Sequence, residues 1–231
     1  MTTPELQLET MFVFDAEGRI VATREPGGTR GPLFALIRGV RSCAWAVRAD
    51  VSKIVANELV RVAREESPSS DFQGAPVHAE RYLALLRASC PLGRDAVWGG
   101  PACSFPESIT EPEGVVRIED EQLLDRHFRG WVPGEIAAGR GPVLAIVDDG
   151  APVSVCFCAR LSERAAEAGL ETAAAYRGRG LAERVTAAWA LAIRASGRIP
   201  LYSTLWANAA SRAVIRKLSL TTYASNWSIS D

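Results

Sequence analysis

Apolar and polar residues alternate in patterns that predict several elements in the first hundred positions. MFVFDAEGRIVATREP (residues 11–26) places apolar β-formers on both sides of the turn residues 15–18 and predicts a hairpin. FALIRGVRSCAWAV (residues 34–47) predicts further strand. A short helix is predicted over residues 78–88. Asp50 is the predicted cap of an earlier helix, one face of which carries Val51, Ile54, Val55, Leu59, Val62 and Ala63.

The pattern becomes more regular after residue 114. VVRI (115–118) predicts a strand, and PVLAIVDDGAPVSVCFCARL (142–161) predicts a hairpin that turns at Asp149-Gly150. AGLETA (168–173), PLYSTLW (200–206) and TTYASNWSI (221–229) predict strands, and helices are predicted over residues 181–194 and 208–218. Asp120 is the predicted cap of a further helix, which carries Leu123, Leu124, His127, Phe128 and Trp131.

A stretch rich in glycine and proline, residues 90–114, separates the two patterns and predicts a domain boundary. We therefore expect a smaller N-terminal α+β domain over residues 1–100 and an α/β domain over residues 101–231. The order of strands and helices in the second part predicts a mixed sheet flanked by helices.

Composition and charge exclude several classes of partner. The chain has 231 residues and a formal net charge of -1, so no broad positive field exists to hold nucleic acid or an anionic membrane. No apolar run approaches the roughly 20 residues of a membrane helix, and the first residues do not form a secretory signal. The five cysteines lack C-x-x-C spacing, which argues against a metal site. Cys156 and Cys158 are expected to be buried structural thiols, with a reactive pair as the alternative. A cytoplasmic protein with reduced thiols is the consistent interpretation.

The densest chemical signal is AYRGRGLA (residues 175–182), where a predicted strand turns into a helix. Glycines at such a turn let the backbone approach a ligand closely, and the first amides of a helix lack acceptors within the helix. Arg177 and Arg179 add positive charge at the same place. The stretch therefore predicts a site for an anion, with a plain turn and solvated arginines as the alternative. It has neither the G-x-G-x-x-G spacing nor the G-K-[ST] of other phosphate loops.

This stretch resembles the acetyl-CoA pyrophosphate loop of the GNAT N-acetyltransferase superfamily, [Q/R]-x-x-G-x-[G/A]. Arg177, Gly180 and Ala182 stand at the motif positions. The family's next landmark, an asparagine that opens the following helix as N-x-x-[AS], is matched by Asn208 and Ser211. The resemblance covers residues 115–231 and implies a mostly antiparallel GNAT-like sheet.

The resemblance also implies a site and a reaction. Acetyl-CoA would be the cosubstrate, and its pyrophosphate would bind the amides of Arg177, Gly178, Arg179, Gly180, Leu181 and Ala182. The strands that carry Thr172 and Tyr202 would splay, and a backbone amide near Thr172 or Ala173 would polarise the thioester carbonyl. Asn208 would hydrogen-bond the pantetheine arm. An amine would then attack directly, without a covalent enzyme intermediate.

The catalytic proton transfers are less well defined by the sequence. Glu171 is the candidate base because it stands beside the implied acyl site, and a surface or structural carboxylate is the alternative. Many family members carry a tyrosine seven residues after the asparagine as general acid, but this chain has Ile215 there. That departure leaves a second hypothesis open, a catalytically weak module that binds CoA as a sensor or scaffold. His78 and His127 are interpreted as structural.

The acceptor is not specified by these motifs. A small-molecule amine, an aminoglycoside, an amino acid and a protein N-terminus all fit the implied reaction. The edge strands of such a sheet also make a homodimer an expectation. The N-terminal part is expected to pack over the acceptor side and shape its pocket.

Overall fold

The computed structural model describes residues 1–231, and the first half of the chain contains three helices and five strands. In chain order they are α1 (Pro4–Met11), β1 (Phe12–Phe14), β2 (Ile20–Thr23), β3 (Phe34–Gly39), β4 (Cys43–Val47), α2 (Lys53–Ala63), α3 (Ala79–Arg87) and β5 (Val97–Ser104).

The second half contains six strands, two α-helices and several short helical turns. In chain order they are β6 (Val116–Ile118), a 3-10 turn (Glu121–Leu124), a π-helical turn (Ile136–Arg140), β7 (Val143–Asp148), β8 (Ala151–Leu161), β9 (Ala165–Thr172), a 3-10 turn (Ala174–Tyr176), α4 (Leu181–Ala195), β10 (Ile199–Ser203), α5 (Ala209–Lys217) and β11 (Thr221–Ile229).

Nine strands form one continuous sheet in the order β4-β3-β11-β5-β10-β9-β8-β7-β6. Only the β9–β10 pair is parallel, because α4 forms the crossover that connects these two strands. The predicted mixed, mostly antiparallel sheet flanked by helices is confirmed. β1 and β2 form a separate two-stranded hairpin, with its turn where the sequence predicted it.

Strands from both halves of the chain contribute to this sheet. β5 lies between β10 and β11, so the predicted boundary at residues 100 and 101 falls inside a strand that pairs with the C-terminal half. β3 and β4 extend the sheet further beside β11. Hydrogen bonds between β5 and the strands β10 and β11 thus join the N-terminal and C-terminal parts of the chain. The division into two domains stays a prediction.

Different helices cover the two faces of the sheet. α4 packs over β7 to β10 with Val185 and Trp189 fully buried, on the same face as Cys156 and Cys158. Burial raises the pKa of the Cys158 thiol to about 11, as expected of a structural rather than a reactive thiol. α1 packs on the opposite face, where Leu6 contacts Ala165 and Leu201.

Three local predictions need correction. Ser52 rather than Asp50 caps α2, because the Asp50 carboxylate binds the guanidinium of Arg48 instead. Ile54 does not join the buried face of α2 and is 80% exposed. Asp120 accepts a hydrogen bond from the Gln122 amide, but only the 3-10 turn follows.

The segment after that turn contains Gly130, Pro133 and Gly134, which interrupt helical backbone. Helix α1 was not predicted, although its start is marked in the sequence by Thr3, which caps the helix, and by Pro4 in its first turn. No helix of the chain combines the length and the apolar character that a membrane crossing requires.

Candidate active site

β9 and β10 separate at the centre of the sheet and open a cleft. The two strands pair over three residues only, 165–167 with 199–201, and β9 then continues to Thr172 without a partner on that side. A cavity of about 530 Å³ lies between the end of β9, the start of α4 and one face of α5. Its lining includes the predicted site residues Thr172, Arg177, Gly178, Gly180, Leu181, Ala182, Asn208 and Ser211, whereas Glu171, Ala173 and Arg179 do not line it.

The glycine-rich loop at one end of the cleft has a row of unsatisfied amides. Gly178 and Gly180 have φ of 76° and 78°, a left-handed conformation that side chains disfavour. The amides of residues 178–183 donate no hydrogen bond to any group of the protein. They belong to the loop and to the first turn of α4, where the helix dipole places partial positive charge. This geometry suits an anion such as a pyrophosphate.

The two arginines of this loop are held by the loop itself. Arg177 donates from Nε to the Thr172 carbonyl at 3.1 Å, across the end of β9. Arg179 donates to the Ala175 carbonyl at 3.0 Å, and its guanidinium stacks 4.9 Å from the Tyr176 ring centroid. These contacts keep both charges beside the unsatisfied amides, and they leave further N–H groups of each guanidinium free.

A cation on the other wall of the cleft was missed in the sequence. Lys217, in the last turn of α5, lines the cavity and pairs with Glu183 at 2.9 Å. Positions 210, 213, 214 and 217 have the spacing of one helix face, and all four line the cavity. Two of the four are alanines, so the face presents small residues followed by one positive charge. The spacing could have identified Lys217 once Asn208 had marked the helix start.

Asn208 and Ser211, at the start of α5, both make hydrogen bonds within the protein. The Asn208 side chain accepts a hydrogen bond from the Ser211 amide at 3.0 Å and so caps α5. The Ser211 hydroxyl lies 2.6 Å from the hydroxyl of Tyr202, whose pKa burial raises to about 12. The Nδ2 group of Asn208 has no partner in the protein and remains available to a ligand in the cleft.

The backbone of β9 determines which amides face the gap. The Ala173 amide donates to the Val153 carbonyl at 2.9 Å, so it is not available to a thioester. Antiparallel pairing alternates between amides that point to the neighbouring strand and amides that point away. In the register that pairs Ser154 with Thr172, the amides of Thr172 and Leu170 point away from β8, towards the gap. Of the two predicted amides, only that of Thr172 has this direction.

Two glutamates of β9 lie on the sheet face opposite the cavity. Glu171 is directly across from Val155, whose side chain packs on that face. Partial burial raises the pKa of the Glu171 carboxyl, and the Arg140 guanidinium opposes that rise. Glu167, four residues earlier in β9 and on the same sheet face, was not identified from the sequence. It is buried and accepts hydrogen bonds from Ser203, the last residue of β10, and from Arg160 at 2.5 Å.

Neither Ile215 nor His127 is placed to protonate the leaving thiolate. Ile215 is partly buried against the core cluster that contains Val185 and Trp189 of α4, so no phenol occupies the place where the family often has one. The ring of His127 lies 6.1 Å from that of Tyr176 and packs edge-on against it. No cluster of three or more histidine, cysteine or acidic side chains is arranged to hold a metal ion.

Comparison with known families identifies this half of the chain. The family model described as GNAT acetyltransferase matches residues 121–227, which contain the cleft, the glycine-rich loop and α5. The C-terminal half of this chain belongs to the GNAT superfamily. This match supports acyl transfer as the general class of activity. The search of curated proteins found no match.

The search of solved structures found GNAT proteins at low sequence identity. A GNAT-family acetyltransferase from Novosphingobium aromaticivorans DSM 12444 is 19% identical, with a TM-score of 0.49, over 57% of this chain and 63% of that one. This chain thus spans less than two thirds of that protein. A GCN5-related N-acetyltransferase-like protein from Streptococcus suis 89/1591 is 17% identical over 86% of this chain and 84% of its own, with a TM-score of 0.48. A GCN5-related N-acetyltransferase from Sphaerobacter thermophilus is 13% identical over 94% and 79%, with a TM-score of 0.44.

Proposed function

We propose that the protein transfers an acetyl group from acetyl-CoA to an amine. The observation that carries the proposal is the row of amides over residues 178–183, which have no acceptor in the protein and belong, apart from that of Arg179, to residues that line the cleft. The pyrophosphate would accept hydrogen bonds from these amides, with Arg177, Arg179 and Lys217 around it. Asn208 would donate from Nδ2 to the pantetheine arm.

The acetyl group would lie where β9 and β10 separate. There the amide of Thr172 or Leu170 would donate to the thioester oxygen and stabilise the negative charge that develops on it. The donor would fill the cavity on the α4 side of the sheet. The acceptor amine would then approach from the opposite face, on which Glu171 and Glu167 lie.

The proton transfers follow from this arrangement. The amine nitrogen attacks the carbonyl carbon, Glu171 takes the proton that the nitrogen loses, and the CoA thiolate leaves and is protonated by water. Glu171 suits the role of base because its carboxylate has no hydrogen-bond or ion-pair partner in the protein and because burial raises its pKa. Glu167, engaged with Arg160 and Ser203, would hold the strand ends in position instead.

A second candidate function is a module that binds CoA without efficient transfer. Ile215 favours it, because no side chain at that position can protonate the leaving group. Both functions require binding, so only turnover separates them. Acetyl-CoA would be incubated with small amines, aminoglycosides, amino acids and peptides, and free thiol would be measured.

The expected result is thiol release that depends on one class of amine and is lost in Glu171→Gln. Calorimetric binding of acetyl-CoA without release for any amine would support the binding module and contradict transfer. Absence of binding would contradict both. Glu163→Gln is the matched control, because Glu163 lies in the loop between β8 and β9 and makes no ion pair or side-chain hydrogen bond.

A further inference from the structure

A second, smaller cavity lies outside the acyl-CoA cleft, against the strands that the N-terminal half contributes. It has a volume of about 190 Å³ and is bounded by β5, β11, the loop after residue 71 and the segment between β10 and α5. It shares no lining residue with the cleft between α4 and α5. Its size is below the roughly 300–1,000 Å³ of pockets for drug-sized ligands, so it suits a small molecule.

The walls of this cavity are aromatic. Trp227 of β11, Trp206 of the β10–α5 segment and Phe72 all line it. The position of Trp206 is fixed by its backbone, since its amide donates to the Gly99 carbonyl at 3.1 Å and its carbonyl accepts from Arg212 at 3.1 Å. Flat aromatic surfaces held by backbone hydrogen bonds form a preorganised site for a planar apolar group.

The charge in this cavity has no partner. Arg38 of β3 lines the cavity and is only 4% exposed, yet no carboxylate lies within ion-pair distance of it. Its guanidinium makes one hydrogen bond, from Nη2 to the Gly74 carbonyl, and its Nε has no acceptor. Glu66, a buried carboxylate of the same half of the chain, instead accepts hydrogen bonds from Val77, His78 and Tyr82.

A second polar group of the lining is also unsatisfied. Ser225 lies directly across from Arg38 in the β3–β11 pairing, is 2% exposed, and its hydroxyl has no partner. A buried cation and a buried hydroxyl without partners are both costly in a folded protein. An anionic group bound in the cavity would satisfy both, through charge-assisted hydrogen bonds from the guanidinium.

We propose that this cavity binds a small carboxylate with a flat apolar body. The carboxylate would pair with the Arg38 guanidinium, and the body would pack between Trp206 and Trp227. A single guanidinium matches the single charge of a carboxylate, and the aromatic walls select against inorganic anions. The site does not depend on the proposed acetyl transfer.

Titration calorimetry with benzoate, phenylacetate and the neutral analogue benzamide tests the proposal. Wild-type protein is expected to bind at least one of the two carboxylates saturably, and benzamide at least tenfold more weakly. Arg38→Gln should weaken carboxylate binding at least tenfold, or by about 1.4 kcal/mol. Arg41→Gln should leave it unchanged, because Arg41 is exposed in the neighbouring β-turn and makes no ion pair.

Three outcomes would overturn the proposal: no saturable binding of either carboxylate at about 10 mM, equal binding of benzamide, or unchanged binding in Arg38→Gln. The acetyl-CoA affinity of Arg38→Gln should equal that of wild type, which also verifies the fold. If that variant does not fold, Trp206→Ala takes its place, because it shortens a partly exposed wall residue. Unchanged carboxylate binding in Trp206→Ala would equally contradict the site.

Discussion

Replacing Gly180 with alanine separates a ligand effect from a backbone effect at the glycine-rich loop. Gly180 has φ of 78° immediately before α4, and an L-residue in this region costs roughly 1–2 kcal/mol. The added Cβ would lie 2.9 Å from Oε1 of Glu183, the movable end of a side chain. The free protein should therefore lose about 2–8 °C in Tm and remain folded.

The same Cβ would stand where the proposed pyrophosphate approaches the amides, so the Kd for acetyl-CoA should rise at least tenfold. At a concentration of 100 wild-type Kd, the ligand stabilises wild type by ~2.7 kcal/mol, which corresponds to about 5–11 °C. A tenfold weaker Kd leaves about 1.4 kcal/mol at the same concentration, and therefore about half of that shift.

Gly197→Ala is the matched control. Gly197 follows the other end of α4 with φ of 79°, and a Cβ there meets nothing within 4 Å. It should lose similar stability and keep the full acetyl-CoA shift in differential scanning fluorimetry. Equal ligand shifts in Gly180→Ala and Gly197→Ala would refute the placement of the pyrophosphate at this loop.

Three further predictions concern individual side chains. Lys217→Gln should raise the Kd for acetyl-CoA several-fold in calorimetry, because it removes a cation of the cleft and leaves Glu183 unpaired. Arg216→Gln, at the exposed neighbouring position, is the control and should leave the Kd unchanged. Glu171→Gln should lower kcat without changing acetyl-CoA affinity, and it should remove the acid limb of the kcat–pH profile. Because burial raises the pKa of Glu171, the acid limb of the wild-type profile should lie above the range of an ordinary glutamate. An unchanged profile in the variant would exclude Glu171 as the base. Hydrogen bonding to Arg48 lowers the pKa of Asp231 to about 2, so Asp231 stabilises the fold above its ordinary pKa of about 4 and loses that contribution as pH falls through 2. The stability difference between wild type and Asp231→Asn should shrink over that interval in urea unfolding, and a difference independent of pH would contradict the ion pair.

Local patterns in the sequence predicted much of the C-terminal sheet. The Asp149-Gly150 turn, the strand over residues 221–229 and the helix beginning after Asn208 all occur as predicted, because turn chemistry, alternation and capping are short-range properties. The helix expected after Asp120 does not form, since Gly130 and Pro133 interrupt it. Sequence alone did not show that β5 would enter the sheet between β10 and β11, because strand order depends on contacts between distant residues.

In the candidate site, too, the sequence identified residues that belong to local motifs and missed residues whose role depends on distant contacts. The glycines and Asn208 were identified because each has a local conformational reason, a left-handed turn or a helix cap. Lys217 and Glu167 were missed because their importance arises from α5 lying across the cleft and from β10 ending beside β9. The direction of the Ala173 amide depends on register, which a single sequence does not specify.

A crystal structure of the chain with acetyl-CoA would test the central claim most directly. The account predicts pyrophosphate oxygens within hydrogen-bond distance of amides among residues 178–183, with the pantetheine arm between β9 and β10. It also predicts the thioester oxygen near the amide of Thr172 or Leu170. Acetyl-CoA bound elsewhere, with these amides still without acceptors, would contradict the account.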